Sequence, residues 1–112
     1  MMIAHVIKDG VIENVILVEE DSDLEALGAQ AIPDGDYYAM GDTYSGNINN
    51  DTVALARKDA DMQWRIDEQL RRTANWESDS YEATPEQIAY RRILESLPSD
   101  ANWPNVTIPE RP

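Results

Sequence analysis

The segment that starts at Thr84 and stops at Pro98 constrains the fold most, because it specifies both ends of a helix. Thr84 is a preferred N-cap residue, Pro85 suits the first helical position, and Gln87 completes a capping box. Pro98 cannot continue a helix, so the helix is expected to end near Leu97. Its apolar side chains recur at helical spacing and form one stripe: Tyr90, Ile93, Leu94 and Leu97.

A longer helix is predicted upstream, so that the two helices pair as a helical hairpin. It begins at Asp51 or Thr52 and runs to about Thr73, which gives roughly 30 Å at about 1.5 Å per residue. Its apolar residues occupy more than one face, so some of them are expected to stay outside the core. The core of this helical module is predicted to consist of Trp76, Tyr90, Ile93, Leu94 and Leu97.

A proline-punctuated tail follows the second helix, with too few backbone donors for a central strand. Trp64 on the long helix and Trp103 in the tail are hard to bury in so small a module, and exposed aromatic side chains are typical of interfaces. A proline-rich segment loses little entropy on docking, so the tail is expected to lie in a groove or along an edge strand of a partner. The residues predicted to bind a partner are Trp64, Trp103, Pro104, Val106, Ile108 and Pro109.

The N-terminal half reads as a β-hairpin with additional short elements. Asp9-Gly10 lies between the β-branched runs Met2–Lys8 and Val11–Val18, which predicts two antiparallel strands joined by a type I′ turn. A lone hairpin is marginally stable in water, so it needs a cover. The pattern further predicts a short helix within residues 21–30, a third strand at residues 36–40, a tight loop at 41–46 and a polar linker at 47–51.

The predicted fold class is therefore α+β, with an acidic β-rich domain at residues 1–50 and the helical hairpin with its extended tail at 51–112. The net charge of −13 is uneven: residues 1–52 carry 11 acidic side chains and one lysine, and residues 53–112 carry 11 acidic side chains against eight arginines and lysines. A phosphate backbone is bound by an excess of basic side chains, so nucleic-acid binding is not expected. No apolar run reaches the 18 or so residues of a membrane span, and no signal-peptide pattern is present.

Candidate chemical residues match no known catalytic or ligand pattern. His5 is expected to be a half-exposed sheet residue rather than a general base, because no nucleophile motif accompanies it. The acidic run at residues 19–25 matches no EF-hand spacing and is better explained as a solvated helix start. For the same reason, Asp34, Asp36 and Asp42 are not expected to form a calcium site in a loop. We therefore expect no enzyme activity, no cofactor and no metal site.

The second half also carries a resemblance to a known family. From about residue 57 to 112 it contains, in order, L-R-R-T-A-N-W, S-D, T-P-E-Q, A-Y-R-R-I-L-E-S-L-P and W-P-N-V-T-I-P-E-R-P. This order resembles the C-terminal domain of bacteriophage tail assembly chaperone-like and tail fibre assembly proteins. Ala74-Asn75-Trp76 stands where that family has T-D-W, and Ile108-Pro109 replaces its closing Trp-Pro. A hairpin, a short helix and a G-D-T-Y-S-G loop ahead of this module mildly support the same interpretation.

The resemblance implies a non-enzymatic phage protein that binds a tail or tail fibre protein during assembly in the cytoplasm of the host cell. Two alternatives stay open: a structural tail component or fibre adaptor retained in the virion tail, and an acidic anti-host factor that mimics DNA. The acidic residues concentrate in the hairpin-rich half rather than along one helix face, which disfavours the DNA mimic. A homo-oligomer through residues 53–70 also stays open.

Overall fold

The computed structural model describes all 112 residues and has the predicted α+β fold. A three-stranded antiparallel sheet comes first, with the strand order β2-β1-β3: β1 (Met2–Lys8), β2 (Val11–Val18) and β3 (Ala29–Gln30). Two helices follow: α1 (Thr52–Arg72) and α2 (Pro85–Ser96). None of the helices combines the length and apolar character that crossing a membrane requires.

The chain forms two compact units, Met1–Lys58 and Asp59–Pro112. The division therefore lies inside α1, later in the chain than the domain boundary expected after residue 50. About the first two turns of α1, Thr52–Lys58, belong to the sheet-containing unit, where Ala54 joins the core. The rest of α1 belongs to the unit that contains α2 and the tail.

The predicted hairpin is confirmed. Asp9 and Gly10 have φ angles of 54° and 75°, and a type I′ turn requires positive φ at both central residues. β1 and β2 pair antiparallel over their lengths with one irregularity after Val6. β3 pairs with the opposite edge of β1, so β1 is the central strand.

The helix predicted within residues 21–30 is wrong. Separate turns replace it, such as the one closed by the Leu27 amide donating to the Leu24 carbonyl at 3.1 Å, and the segment ends in β3. Gly28 has a φ of 66°, which interrupts a right-handed helix. A helix this short is marginal in water without a packed face, and repulsion among its acidic side chains adds to the penalty.

The third strand predicted at residues 36–40 is also wrong, because a short 3₁₀ helix at Gly35–Tyr37 takes its place. The Tyr37 amide donates to the Asp34 carbonyl at 3.0 Å and closes this turn. Gly35 lies directly against β1: a Cβ atom at this position would come within 2.8 Å of His5 Cε1. The turn is therefore fitted closely over the sheet.

A separate cluster packs on part of each face of the sheet. Ala4, Val18 and Ala29 form the first cluster, and Ile12, Tyr38 and Ala54 form the second. His5 faces the second cluster and is only 1% exposed, so its prediction as half-exposed is wrong. Its Nε2 lies 3.3 Å from the Tyr38 carbonyl oxygen. The 3₁₀ turn that replaced the predicted strand is what buries it.

In the second unit, the predicted start of α2 is confirmed. The Gln87 amide donates to Thr84 Oγ1 at 3.2 Å, and the Thr84 amide donates to Gln87 Oε1 at 2.9 Å, which is the capping box. The helix ends at Ser96, with Leu97 as its C-cap.

The core of the second unit is formed by Ile66, Tyr90 and Leu94, with Trp76 and Leu97 packed against it. Trp76 and Tyr90 make a tilted ring contact with centroids 6.1 Å apart. Ile93 was predicted in this core and that prediction is wrong, because its side chain is 45% exposed. The buried side of α2 extends from Tyr90 and Leu94 toward Arg91, which turns Ile93 outward.

Candidate binding groove

A groove of about 590 Å³ opens on the second unit. Its apolar lining comes from α1, α2 and the tail: Trp64, Tyr90, Ile108 and Pro109. Its polar lining consists of Asp61, Arg65, Glu68, Gln69 and Arg111. A lining that combines apolar and charged side chains is common at protein-binding surfaces.

Helix geometry places Trp64 on the outside of α1. Met62 and Ile66 are both buried, and they lie close together on one face because they are four residues apart. Trp64 lies between them in sequence and is rotated by about 200° from each, so it points away from the core. It is 64% exposed, in agreement with the expectation that this tryptophan stays outside the core.

The tail is held against the helices and builds one side of the groove. Trp103 Nε1 donates to Asp59 Oδ1 at 3.0 Å, and Ile108 packs against the core. Near the end of the chain, Arg111 donates from Nε and Nη2 to Gln69 Oε1 at 3.1 and 2.6 Å. Trp103, Pro104 and Ile108 therefore take part in the packing of the unit itself, and the expected binding of the tail along a partner stays a prediction.

The six residues predicted to bind a partner consequently have different environments. Trp64 is exposed, and Ile108 and Pro109 are half-buried at the groove. Pro104 is buried, and Trp103 and Val106 are half-buried. The structure thus brings Trp64, Ile108 and Pro109 together and assigns Trp103 and Pro104 to the packing of the unit.

The charged side chains at the groove are paired with one another. Arg65 Nε lies 3.0 Å from Asp61 Oδ2 on the same helix. Glu68 accepts from Arg71 Nη2 at 2.5 Å and from Arg72 Nε at 2.7 Å. The hydrogen bond from Arg71 has the larger effect and that from Arg72 the next, and together they hold the pKa of Glu68 below its usual value. Glu68 is therefore ionised near neutral pH.

A smaller hollow of about 310 Å³ lies beside α2 and shows a residue that sequence reasoning missed. Arg91 and Arg92 both line it. Arg91 is buried, its Nη1 donates to the Leu70 carbonyl at 2.8 Å and to Thr73 Oγ1 at 2.5 Å, and its Nε donates to Glu77 Oε1 at 3.1 Å. No signal in the sequence separates it from Arg92, because the carbonyl that it caps lies in another helix.

The first unit contains a buried carboxylate at the start of α1. Asp51 is 4% exposed and accepts hydrogen bonds from the Tyr38 hydroxyl and from the Ser45 amide, the latter at 3.1 Å to each oxygen. Burial raises the pKa of Asp51, but the Tyr38 and Ser45 hydrogen bonds outweigh burial and hold that pKa below its usual value. Burial, followed by the bond to Asp51, raises the pKa of Tyr38 well above its ordinary value. The cluster anchors α1 to the sheet-containing unit.

Two of the three acidic residues considered for a calcium site have basic partners in the first unit. Asp34 lies 3.0 Å from Lys58 Nζ, and Asp42 pairs with Arg57. No three or more His, Asp or Glu side chains converge in a way that could hold a metal ion.

Comparisons with protein-family models, with curated proteins and with solved structures gave no match.

Proposed function

We propose that this protein is a non-enzymatic bacteriophage tail-associated protein, and that it binds a tail or tail fibre protein during assembly. The observation that carries the proposal is Trp64, which is 64% exposed and lines a groove with both apolar and charged side chains. Tryptophan is among the residues that contribute most to protein–protein affinity when they are covered by a partner. The motif order from about residue 57 to 112 supports a phage tail partner.

The polar groups at the groove suit binding rather than proton transfer. A general acid or base works best when its pKa lies near the operating pH. The pKa of Glu68 is moved away from that range by its two arginine partners. Paired charges at the rim of an apolar surface favour a specific orientation and disfavour wrong partners.

The groove defines the chemistry of the partner segment. Trp64, Ile108 and Pro109 offer apolar contacts, whereas Arg65 and Arg111 offer donors at the edges. An amphipathic segment with one or two large apolar side chains and flanking carboxylates or carbonyls fits this arrangement. Binding of such a segment would prevent the apolar end of a tail or fibre protein from associating before assembly.

The test is binding of the tail and tail fibre proteins of the encoding phage by the wild-type protein and by the Trp64→Ala variant. Truncating a tryptophan anchor removes about 2 kcal/mol or more, so the affinity should fall roughly 30-fold. Met40→Ala is the matched control, since Met40 is 67% exposed and belongs to the first unit. Equal affinity of the Trp64→Ala variant and the wild type would refute this binding site.

Retention in the virion is the second candidate, and the same groove would then bind a permanent neighbour. Mass spectrometry of purified particles separates the two roles. An assembly factor is absent from particles while it co-purifies with a tail or fibre protein from the lysate. A fixed copy number relative to the major tail protein would identify a structural component instead.

A further inference from the structure

An apolar patch on the sheet lies outside both clusters of the first unit. Ile3 pairs directly with Leu17 across β1 and β2, and His5 pairs with Val15, so these side chains share one face. His5 is covered, but Ile3, Val15 and Leu17 are exposed, with Leu17 at 67%. The covering elements extend over Ile12 and His5 and leave the rest of this face open.

The outer edge of β2 beside this patch is open as well. At Ile12 the edge is closed, because the Ile12 amide donates to the Asp42 carbonyl and the Gly41 amide donates to the Ile12 carbonyl, both at 2.8 Å. β2 has no strand partner on this side from residue 14 to 18. The one blocking contact is local: the Asn14 side chain accepts from the Val15 amide at 2.9 Å.

The bulge of β2 and the charged Glu13 lie at one end of this edge, and the part from Val15 to Val18 has no such protection. Residues 11–18 contain no lysine and no proline, and a lysine or proline at an edge is a common way to prevent pairing. Leu17 and Val15 instead present an apolar surface next to unpaired backbone groups. An edge of this kind is suited to accept an additional strand from a partner.

Charge selects the partner. Glu13 precedes Val15 and Leu17 in β2, and Glu19 follows them, and both glutamates are exposed. The first unit as a whole carries 11 acidic and three basic side chains. A strand with apolar residues at its centre and lysine or arginine near its ends therefore complements the edge.

Two β2 strands of separate copies meet a like-charge conflict when they pair in the register that places Val15 opposite Leu17. Antiparallel pairing of two β2 strands about Ile16 would place Glu13 of each copy directly opposite Glu19 of the other. Like charges directly opposite one another destabilise a strand pair.

We infer that the outer edge of β2, with Ile3, Val15 and Leu17, binds one extended basic segment of a partner protein by strand addition. This surface belongs to the first unit and is distinct from the Trp64 groove. It gives the acidic half of the chain a binding role of its own.

The experiment uses the full-length protein and a synthetic peptide of about eight residues with valine at its central positions and lysine near both ends, a length that matches a typical strand. Binding is followed by amide chemical shifts and by amide hydrogen exchange. The expected result is protection of amides within residues 14–18 and a shift of the Ile3 and Leu17 signals. Two control peptides, one with proline at its centre and one with glutamate at every lysine position, should each bind with an affinity at least roughly tenfold lower.

The variant test is Leu17→Lys, which places a protecting charge on the edge. It should weaken binding of the basic peptide by roughly tenfold, since it replaces an apolar contact with a like-charge contact. Leu27→Lys is the matched control, because Leu27 is 50% exposed and lies outside the patch; its affinity should equal that of the wild type.

Three outcomes would overturn the inference. The first is an absence of protection at residues 14–18 at millimolar peptide, and the second is equal binding of the basic, acidic and proline peptides. The third is protection that appears without peptide as the protein concentration rises, since this would show that a second copy occupies the edge. Loss of binding by the Trp64→Ala variant in the tail-protein assay leaves this inference unaffected.

Discussion

The buried contact between Tyr38 and Asp51 allows the clearest test of how the first unit is stabilised. Tyr38→Phe removes the hydroxyl that donates to the Asp51 carboxylate and keeps the ring that packs in the cluster with Ile12. A hydrogen bond to a charged group contributes about 1.5–3 kcal/mol, and its loss leaves a buried carboxylate with fewer donors. We therefore expect the free energy of unfolding of this unit to fall by about 1.5–3 kcal/mol.

The assay must report on the first unit alone. All three tryptophans, at positions 64, 76 and 103, belong to the second unit, so tryptophan fluorescence follows that unit. Amide signals of Ala4 and Ile12 during urea titration follow the first. With a urea dependence of about 1–3 kcal/mol per molar, the midpoint of the first unit should shift by roughly 1 M.

Tyr44→Phe is the matched control. The Tyr44 ring lies edge-on to Tyr38 with centroids 5.4 Å apart, and its hydroxyl is not among the donors to Asp51. Its removal should change stability by less than about 0.5 kcal/mol. Equal effects of the two substitutions would refute the argument that the Asp51 carboxylate depends on the Tyr38 donor.

The pH dependence follows from the direction of each pKa shift. The pKa of Asp51 is lower in the folded state, so its contribution is present above its unfolded pKa of about 3.9 and is lost as the pH falls through the folded value. The stability difference between the wild type and Tyr38→Phe should accordingly shrink in acid. The pKa of Tyr38 is raised, so wild-type stability should also decline above about pH 10, where the unfolded tyrosine ionises, and Tyr38→Phe should lack that decline.

Two further predictions concern the second unit. Leu94→Ala should lower the stability of this unit by about 2–5 kcal/mol, because the Leu94 side chain is fully buried. Ile93→Ala should lower it by less than about 1 kcal/mol, because Ile93 is exposed. Equal losses of stability in urea titrations would contradict the assigned buried face of α2. Deleting residues 103–112 should lower the tryptophan-detected midpoint and the helical circular dichroism, because Trp103 and Ile108 pack on the core. Unchanged helix content after the deletion would show that the tail is dispensable for folding.

The elements predicted correctly are those with a signal contained in a few adjacent residues. Asp9 and Gly10 specify the turn because few residue pairs tolerate two positive φ angles. Thr84 and Gln87 specify the start of α2 through reciprocal hydrogen bonds three residues apart. In both cases the residues that specify the structure are the same few adjacent residues that form it.

The elements predicted wrongly depend on contacts distant in sequence. β3 has only two residues, too few for periodicity, and it exists because Ala29 and Gln30 meet β1. His5 is buried because Gly35 permits close approach of a turn some thirty residues away. The packing of the tail on its own unit was not predicted, and it depends on polar contacts such as Trp103 with Asp59 and Arg111 with Gln69.

The candidate groove was only partly accessible to sequence reasoning. Exposure of Trp64 could be expected, because the apolar residues of α1 occupy more faces than one core can cover. The wall formed by Ile108 and Pro109 could not, since it requires the docked position of the tail. The binding role of Trp64 stays a prediction.

The most direct measurement places a photoreactive phenylalanine analogue at position 64 and irradiates infected cells before particles are complete. Trp64 is largely exposed, so the substitution should be tolerated, and the same analogue at Met40 serves as the control. The account predicts a crosslink from position 64, absent from position 40, to a tail or tail fibre protein of the phage. Crosslinks only to a DNA-binding host protein, or to no phage tail protein at all, would contradict it.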